Sequence, residues 1–276
     1  MVLEAVVSSK NIENHPQHMF IYSVIISTAS IWAAHIIFPS AQSIVFIFLI
    51  TISLTPVIYK ILEDKEKEDE NISSHINLSF FESHGKVLEI YLFFFLGVIF
   101  SISIWYSFLP IATTDNMFSY EIKTIQDLRG SYNCGTLDEQ SCSTLSITAN
   151  NMKVLALCFL VAFFFGTGAI FILSWNAAVI GVFIGELTRS SISHHSSTLM
   201  AYAINFPTGI GSIIIHGLPE IAAYCIAGIA GGILSIAIIQ GKRPERIVKD
   251  SAALMGIAII TIILSGFIEV YITPIL

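Results

Sequence analysis

His216-Gly217-Leu218-Pro219-Glu220 lies inside an apolar stretch, residues 205–240, and after Glu220 no charged residue appears until Lys242. A run of about 20 such residues is long enough to cross a bilayer as a helix. Its small residues are ordered: Ala223, Ala227, Gly231 and Ser235 recur every fourth position, with Gly228 and Gly232 alongside. At that spacing they share a face and leave a shallow groove in which another helix backbone can approach closely. The groove has two readings, ordinary packing inside one bundle or a seat for a separate partner. Pro219 suits the first turn of a helix, where its missing N–H is not needed. Glu220 then sits at the positive end of the helix dipole. The stretch predicts a helix that starts at a membrane surface.

Composition extends this to the whole chain. Of 276 residues 54% are hydrophobic and only 12% charged, about half the charged fraction of a soluble domain. Most apolar residues fall in runs near 20 long, so the expected fold is an all-α polytopic membrane bundle whose first partner is the lipid bilayer. The net charge of −7 is spread over loops, and no basic patch points to nucleic acid. The N-terminus shows no short apolar region with a small-residue cleavage site, so the first span is expected to be retained.

In chain order, residues 1–18 read as a polar cytoplasmic lead and 19–62 as a transmembrane hairpin of two spans, Met19–Phe38 and Ala41–Leu62. Pro56 is expected to kink the second span. Residues 63–86 form an acidic linker that starts with the run Glu63-Asp64-Lys65-Glu66-Lys67-Glu68-Asp69-Glu70. Val87–Leu109 is the third span, ending in the aromatic pair Trp105 and Tyr106. Residues 111–150 read as the longest loop. Asn150 and Asn151 suit a helix N-cap for a fourth span, Met152–Leu173. Ser174-Trp175-Asn176 interrupts the apolar run, and Ala177–Gly185, too short to cross, reads as a re-entrant or surface helix. Leu199–Ile215, broken by Pro207, Gly209 and Gly211, is the fifth span. The stretch up to residue 240 is the sixth, and Ala252–Tyr271 the seventh.

Lysines and arginines orient these spans. Lys60, Lys65, Lys67 and Lys86 flank or fill the linker, and Lys242, Arg243, Arg246 and Lys249 follow the sixth span, whereas 111–150 holds only Lys123 and Arg129. The positive-inside rule therefore predicts a cell-membrane protein with its N-terminus cytoplasmic and with 111–150 and the C-terminus outside. In an outer loop Cys134 and Cys142 read as a disulfide; two free thiols or part of a metal site are the alternatives. Cys158 and Cys225 lie within spans, as small buried hydrophobes.

No catalytic pattern is present: no His-Glu-x-x-His, no phosphate-binding glycine loop, no Gly-x-Ser-x-Gly elbow. The His194-His195 pair points in two directions on a helix, so no metal site and no cofactor are expected. The ionisable groups of interest are Glu186, Glu220, Glu269 and His216, within or at the ends of apolar segments, where such groups are costly and face protein or water. The seven-span order puts His216, Glu220 and Glu269 at one membrane depth, the basis for expecting an outward-facing polar pocket. Separate helix-capping roles are the alternative.

An ordered set of short motifs carries a family resemblance: Asn150-Asn151, Phe165-Gly166-Thr167-Gly168, Asn176 with Gly181 and Glu186, and His216-Gly217-Leu218-Pro219-Glu220. Ala227-Gly228-Ile229-Ala230-Gly231, Gly241-Lys242-Arg243, Ile268-Glu269 and Thr273-Pro274 follow. Over roughly residues 85–274 the chain resembles the stage II sporulation protein M family of integral membrane proteins. The resemblance implies about five spans within 87–276, with the 19–62 hairpin and its linker as an addition. The founding member works with two partner proteins in a membrane-anchored cell-wall remodelling machine, as a scaffold without known catalysis. The expectation is therefore a non-enzymatic scaffold or assembly factor whose partners are other membrane proteins or a second copy of itself. A transporter or channel built on the broken helices and a metal-dependent membrane enzyme using His216 and nearby carboxylates are the other two classes considered.

Overall fold

The computed structural model describes residues 12, 14–72, 80–130, 139–191, 197–239 and 244–271. The described residues are helical with short turns, in the order α1 (His18–Ile37), α2 (Gln42–Ile72), α3 (Phe80–Phe108), α4 (Ile111–Met117), α5 (Ser119–Gly130), α6 (Glu139–Phe165), α7 (Ala169–Ser190), α8 (Thr198–Ile239) and α9 (Pro244–Tyr271). Among them 7 segments are long and apolar enough to cross a membrane, one each in α1, α2, α3, α6, α7, α8 and α9. The protein is a multi-pass helical membrane bundle. One end carries α4 and α5 and is called the cap side below; the other carries the acidic end of α2, which continues as helix to Ile72 where a linker was expected from residue 63.

The span count agrees with the sequence expectation, but three of the seven spans are drawn differently. The fourth ends at Phe165 rather than Leu173. Gly166 takes φ 68°, a conformation that side chains rarely adopt, and Thr167 N–H donates to the Phe165 carbonyl at 2.8 Å to close the turn. Ser174-Trp175-Asn176 does not interrupt anything. It lies inside α7, where the Asn176 amide donates back to the Ile172 carbonyl at 2.7 Å and so spares the helix an unpaired polar group. The segment 177–185 is consequently the middle of a full span, Ala169–Ser190, and not a re-entrant helix.

Leu199–Ile215 is not a separate span. It is the first part of the 42-residue α8, which contains both Pro207 and Pro219. At 1.5 Å per residue that helix is about 63 Å long, about twice the ~30 Å hydrocarbon thickness. Its crossing part is Gly217–Ile239. Pro219 is therefore an interior proline and not a helix start, and Glu220 does not cap anything. A proline there leaves the carbonyl four residues back unpaired and favours a kink. The first part packs on the cap-side half of α3: the Tyr202 hydroxyl lies 2.8 Å from Ser103 Oγ, and Phe206 stands edge-on to Phe100.

The crossing part of α8 is the axis of the bundle. It packs against α6, α9, α7 and α3, and 78% of it is buried. Backbone-to-backbone approach explains why its residues are so small. A Cβ built on Gly231 would fall on the Phe159 carbonyl oxygen of α6, and one on Gly228 would lie 2.7 Å from Ala169 Cβ of α7. Ala223, Ala227 and Ser235 are buried with them, as is Gly232, whose built Cβ would lie 2.8 Å from the Gly166 carbonyl oxygen. The predicted groove is thus filled by the protein's own helices. Ile229, which lies off that face, is fully buried as well, and residues 223–232 of α8 are buried without a break.

Residues 111–150 are not an open loop. The described part is α4, α5 and the first turns of α6, and α4 and α5 form a cap on the bundle. Met117 and Phe118 are fully buried, with Phe118 between Phe46 of α2 and Tyr106 of α3. Cys134 lies outside the described residues, and so does the predicted bridge to Cys142.

Candidate functional site

The polar cluster of the bundle is assembled from three helices on the cap side. Asn151 sits twelve residues into α6, far past any cap position, and is 7% exposed; the reading of Asn150-Asn151 as an N-cap is corrected accordingly. Asparagine in a helix interior costs well under about 1 kcal/mol relative to alanine, and here the side chain finds a strong acceptor: Asn151 Nδ2 donates to Glu220 Oε1 at 2.5 Å. From α9 the buried Ser265 hydroxyl donates to the same carboxyl. Glu269, one turn further along α9, lies within electrostatic range of Glu220. Tyr224, one turn below Glu220 on α8, senses both carboxyls and Cys158 of α6. Deeper still, the fully buried Tyr91 of α3 lies beside Cys158 and Cys225, its hydroxyl without a hydrogen-bond partner among the described residues.

Two carboxyl groups sharing one low-dielectric site cannot both carry charge without a large cost, which a cation or a shared proton relieves. The arrangement can therefore hold a proton or a small cation between α8 and α9, or it can serve to fix the register of those helices. Hydrogen bonds from Asn151 and Ser265 orient Glu220, while the pairing of Glu220 with Glu269 follows from α8 entering and α9 leaving the membrane on the same side. The His216 side chain lies outside the described ones.

The remaining residues singled out in the sequence are dispersed. Asn150 is exposed on α6; Gly217 is buried and Pro219 half-buried one turn before the cluster. Asn176 bonds its own helix. Glu186 is half-buried near the cap end of α7, beside Tyr106. His194 and His195 are outside the described residues.

Sequence reasoning missed two polar anchors. Arg189 of α7 donates to Thr114 Oγ1 at 2.8 Å and to the Leu109 carbonyl, and its guanidinium lies 4.5 Å over the Tyr106 ring. One side chain thus ties α7, α3 and the cap together, the combination that a planar five-donor group makes possible. The second is Glu121 of α5, fully buried, which accepts a 2.6 Å hydrogen bond from Ser43 of α2. A signal was available: Met117, Phe118, Glu121 and Ile125 recur at helical spacing, which marks a docked helix rather than a loop.

The N-terminal hairpin joins this core along α3. Thr28 Oγ1 lies 3.1 Å from Ser101 Oγ and accepts from Trp105 Nε1 at 3.2 Å. Trp32 packs edge-on to Trp105 at 5.1 Å. Below them Gly97 allows α1 in closely: a Cβ there would lie 2.6 Å from the Phe20 carbonyl oxygen.

Comparison with known proteins separates the same two regions. The family model described as stage II sporulation protein M matches residues 90–274. An uncharacterized protein of Methanocaldococcus jannaschii is 32% identical over 136 residues, which is 47% of this chain and 70% of that protein. No solved structure matches the chain at a significant level. The match spans the third to seventh membrane helices, the cap and the carboxylate cluster, and begins after the hairpin and linker. On that match the chain belongs to the stage II sporulation protein M family.

Proposed function

We propose that the protein is a non-enzymatic membrane scaffold or assembly factor for a membrane or cell-envelope complex. The observation that supports this reading is the way α8 is held. Residues 223–232 of its crossing part are buried without a break and meet α6 and α7 closely through glycine and alanine, packing that suits a bundle moving as one body rather than as two rocking halves. A scaffold needs such rigidity to present fixed surfaces to partners. The test is a pull-down of the full-length protein from native membranes after mild solubilisation. A membrane or envelope protein retained in constant ratio is the expected result. A monodisperse protein without a partner in both native membrane extracts and crosslinked cells would contradict it.

A second reading, a transporter or channel, is favoured by one observation: the Asn151–Glu220–Ser265–Glu269 cluster inside the apolar segments. Ionisable groups within a membrane often mark ion or proton pathways. Flux of a solute or ion into proteoliposomes that Glu220→Gln abolishes would establish that reading in place of the first.

A further inference from the structure

Glu121 is the one carboxylate of the cap that is fully buried, and its two oxygens are treated differently. Oε2 accepts the Ser43 hydroxyl at 2.6 Å. Oε1 is sealed from solvent and has no partner among the described residues. Ser43 is satisfied on both sides, since its oxygen also accepts the Tyr120 N–H at 3.2 Å. Among the described side chains no cation pairs with it. Their charged groups on the packed elements are Asp115 on α4, Glu186 and Arg189 on α7, and Lys123 and Asp127 on α5 itself, where the Arg129 side chain lies outside the described ones. None of them acts on the carboxyl, which feels only burial, the Ser43 hydroxyl and a backbone hydrogen bond. Arg189, the nearest candidate by position, is committed to Thr114, Leu109 and the Tyr106 ring.

A buried carboxylate held by the Ser43 hydroxyl and a hydrogen bond from its own backbone, with no counter-charge among the described residues, is costly, whereas the neutral acid is not. The Ser43–Glu121 contact joins α2, which belongs to the added hairpin, to α5, which belongs to the family core. We propose that Glu121 is a proton-binding latch: the neutral acid keeps α5 seated on the hairpin and the bundle, and loss of its proton releases α5.

The linkage has a definite sign. Burial raises the Glu121 carboxyl from the ordinary 4.5 to about 7. The seated state therefore holds its proton over a range in which the released state has lost it. Seating is strongest below the released-state value, weakens as pH rises toward 7, and levels off above it. Between about pH 5.5 and about pH 8.5 the released fraction of α5 rises about 30-fold.

The test is hydrogen–deuterium exchange of the full-length protein in nanodiscs across that pH range, corrected for the intrinsic pH dependence of amide exchange. Peptides covering 119–127 are compared with peptides covering 225–235 in α8. The expected result is an approximately 30-fold loss of protection in α5 with no matching change in α8. Glu121→Gln, which stays neutral, is expected to keep α5 protected at both ends of the range. Ser43→Ala is expected to lower α5 protection at every pH while leaving the pH dependence in place. Equal pH profiles for the wild-type protein and Glu121→Gln would overturn the latch. Should Glu121→Gln not fold, the unsubstituted protein still decides: α5 protection that is flat across pH, after correction, overturns the proposal.

Discussion

In α1, 33% of the membrane-crossing segment is buried against the rest of the protein, compared with 78% in the crossing part of α8. The two regions also use different chemistry to stay in place. Within the hairpin, α1 is attached by a hydroxyl pair, an indole–hydroxyl hydrogen bond, one tryptophan pair and a glycine notch at Gly97, while α2 buries Phe46, Ile50, Leu54 and Ile58 in the core. The family core is held by backbone contact at Gly231 and Gly232 and by Ala169 Cβ against Gly228. Inside a bilayer there is no hydrophobic gain from joining two apolar helices, so close van der Waals contact and polar pairs carry association. The core uses the first means along α8, whereas α1 relies mostly on the second along α3 and α2 joins the core through apolar packing.

That contrast can be broken in several places. The largest effect is expected at the axis. Gly231→Leu drives a four-carbon side chain into the α6 backbone and should cost more than about 3 kcal/mol, the upper end of overpacking, read as loss of folded protein by size exclusion. Gly97→Leu should cost about 1–3 kcal/mol and act on the hairpin alone. A cysteine pair replacing Thr28 and Ser101 reports it: crosslinking yield should fall with Gly97→Leu and remain high without it. If Gly97→Leu instead unfolds the core, the hairpin is integral and the comparison fails.

Smaller effects sharpen the picture of the polar groups. Glu220→Gln and Glu269→Gln should be coupled, the double variant departing from additivity by about 0.5–3 kcal/mol, as for groups in one network. Strict additivity in thermal denaturation would mean that the two carboxyls act independently. Thr28→Val removes one acceptor from Trp105 and should cost about 1 kcal/mol, visible as a small loss of hairpin protection with the α8 amides unchanged.

Apolar length and charge made a seven-span bundle legible, although the count was reached with two offsetting differences: Leu199–Ile215 is not a span and Ala169–Ser190 is one. The span boundaries depended on judging which polar residues stop a helix. Ser174 and Asn176 looked like breakers, yet the Ser174 side chain is fully buried within α7 and Asn176 bonds back to its own turn. The real break was Gly166, and a positive φ leaves no trace in hydropathy. Pro219 misled in the opposite direction, since a proline that suits a first turn also fits a kink when both flanks are helical. The shared depth of Glu220 and Glu269 followed from span order, whereas their proximity, and the part of Asn151 and Ser265, entered through three-dimensional contact. Glu121 escaped because a carboxylate in a polar stretch is ordinarily solvated, and only the apolar spacing of Met117, Phe118 and Ile125 marked its helix as docked.

The central claim is that glycines along α8 are there because neighbouring backbones occupy the space a side chain would need. Thermal denaturation of full-length Gly231→Ala beside Gly256→Ala, in one detergent, tests it directly, because a Cβ at Gly256 of α9 meets nothing within 4 Å. Gly256→Ala should match or exceed the wild-type Tm, reflecting the higher helix propensity of alanine, about 0.8–1 kcal/mol. Gly231→Ala should fall below the wild type by about 1–3 kcal/mol of overpacking. Equal Tm values for the two variants would contradict the account.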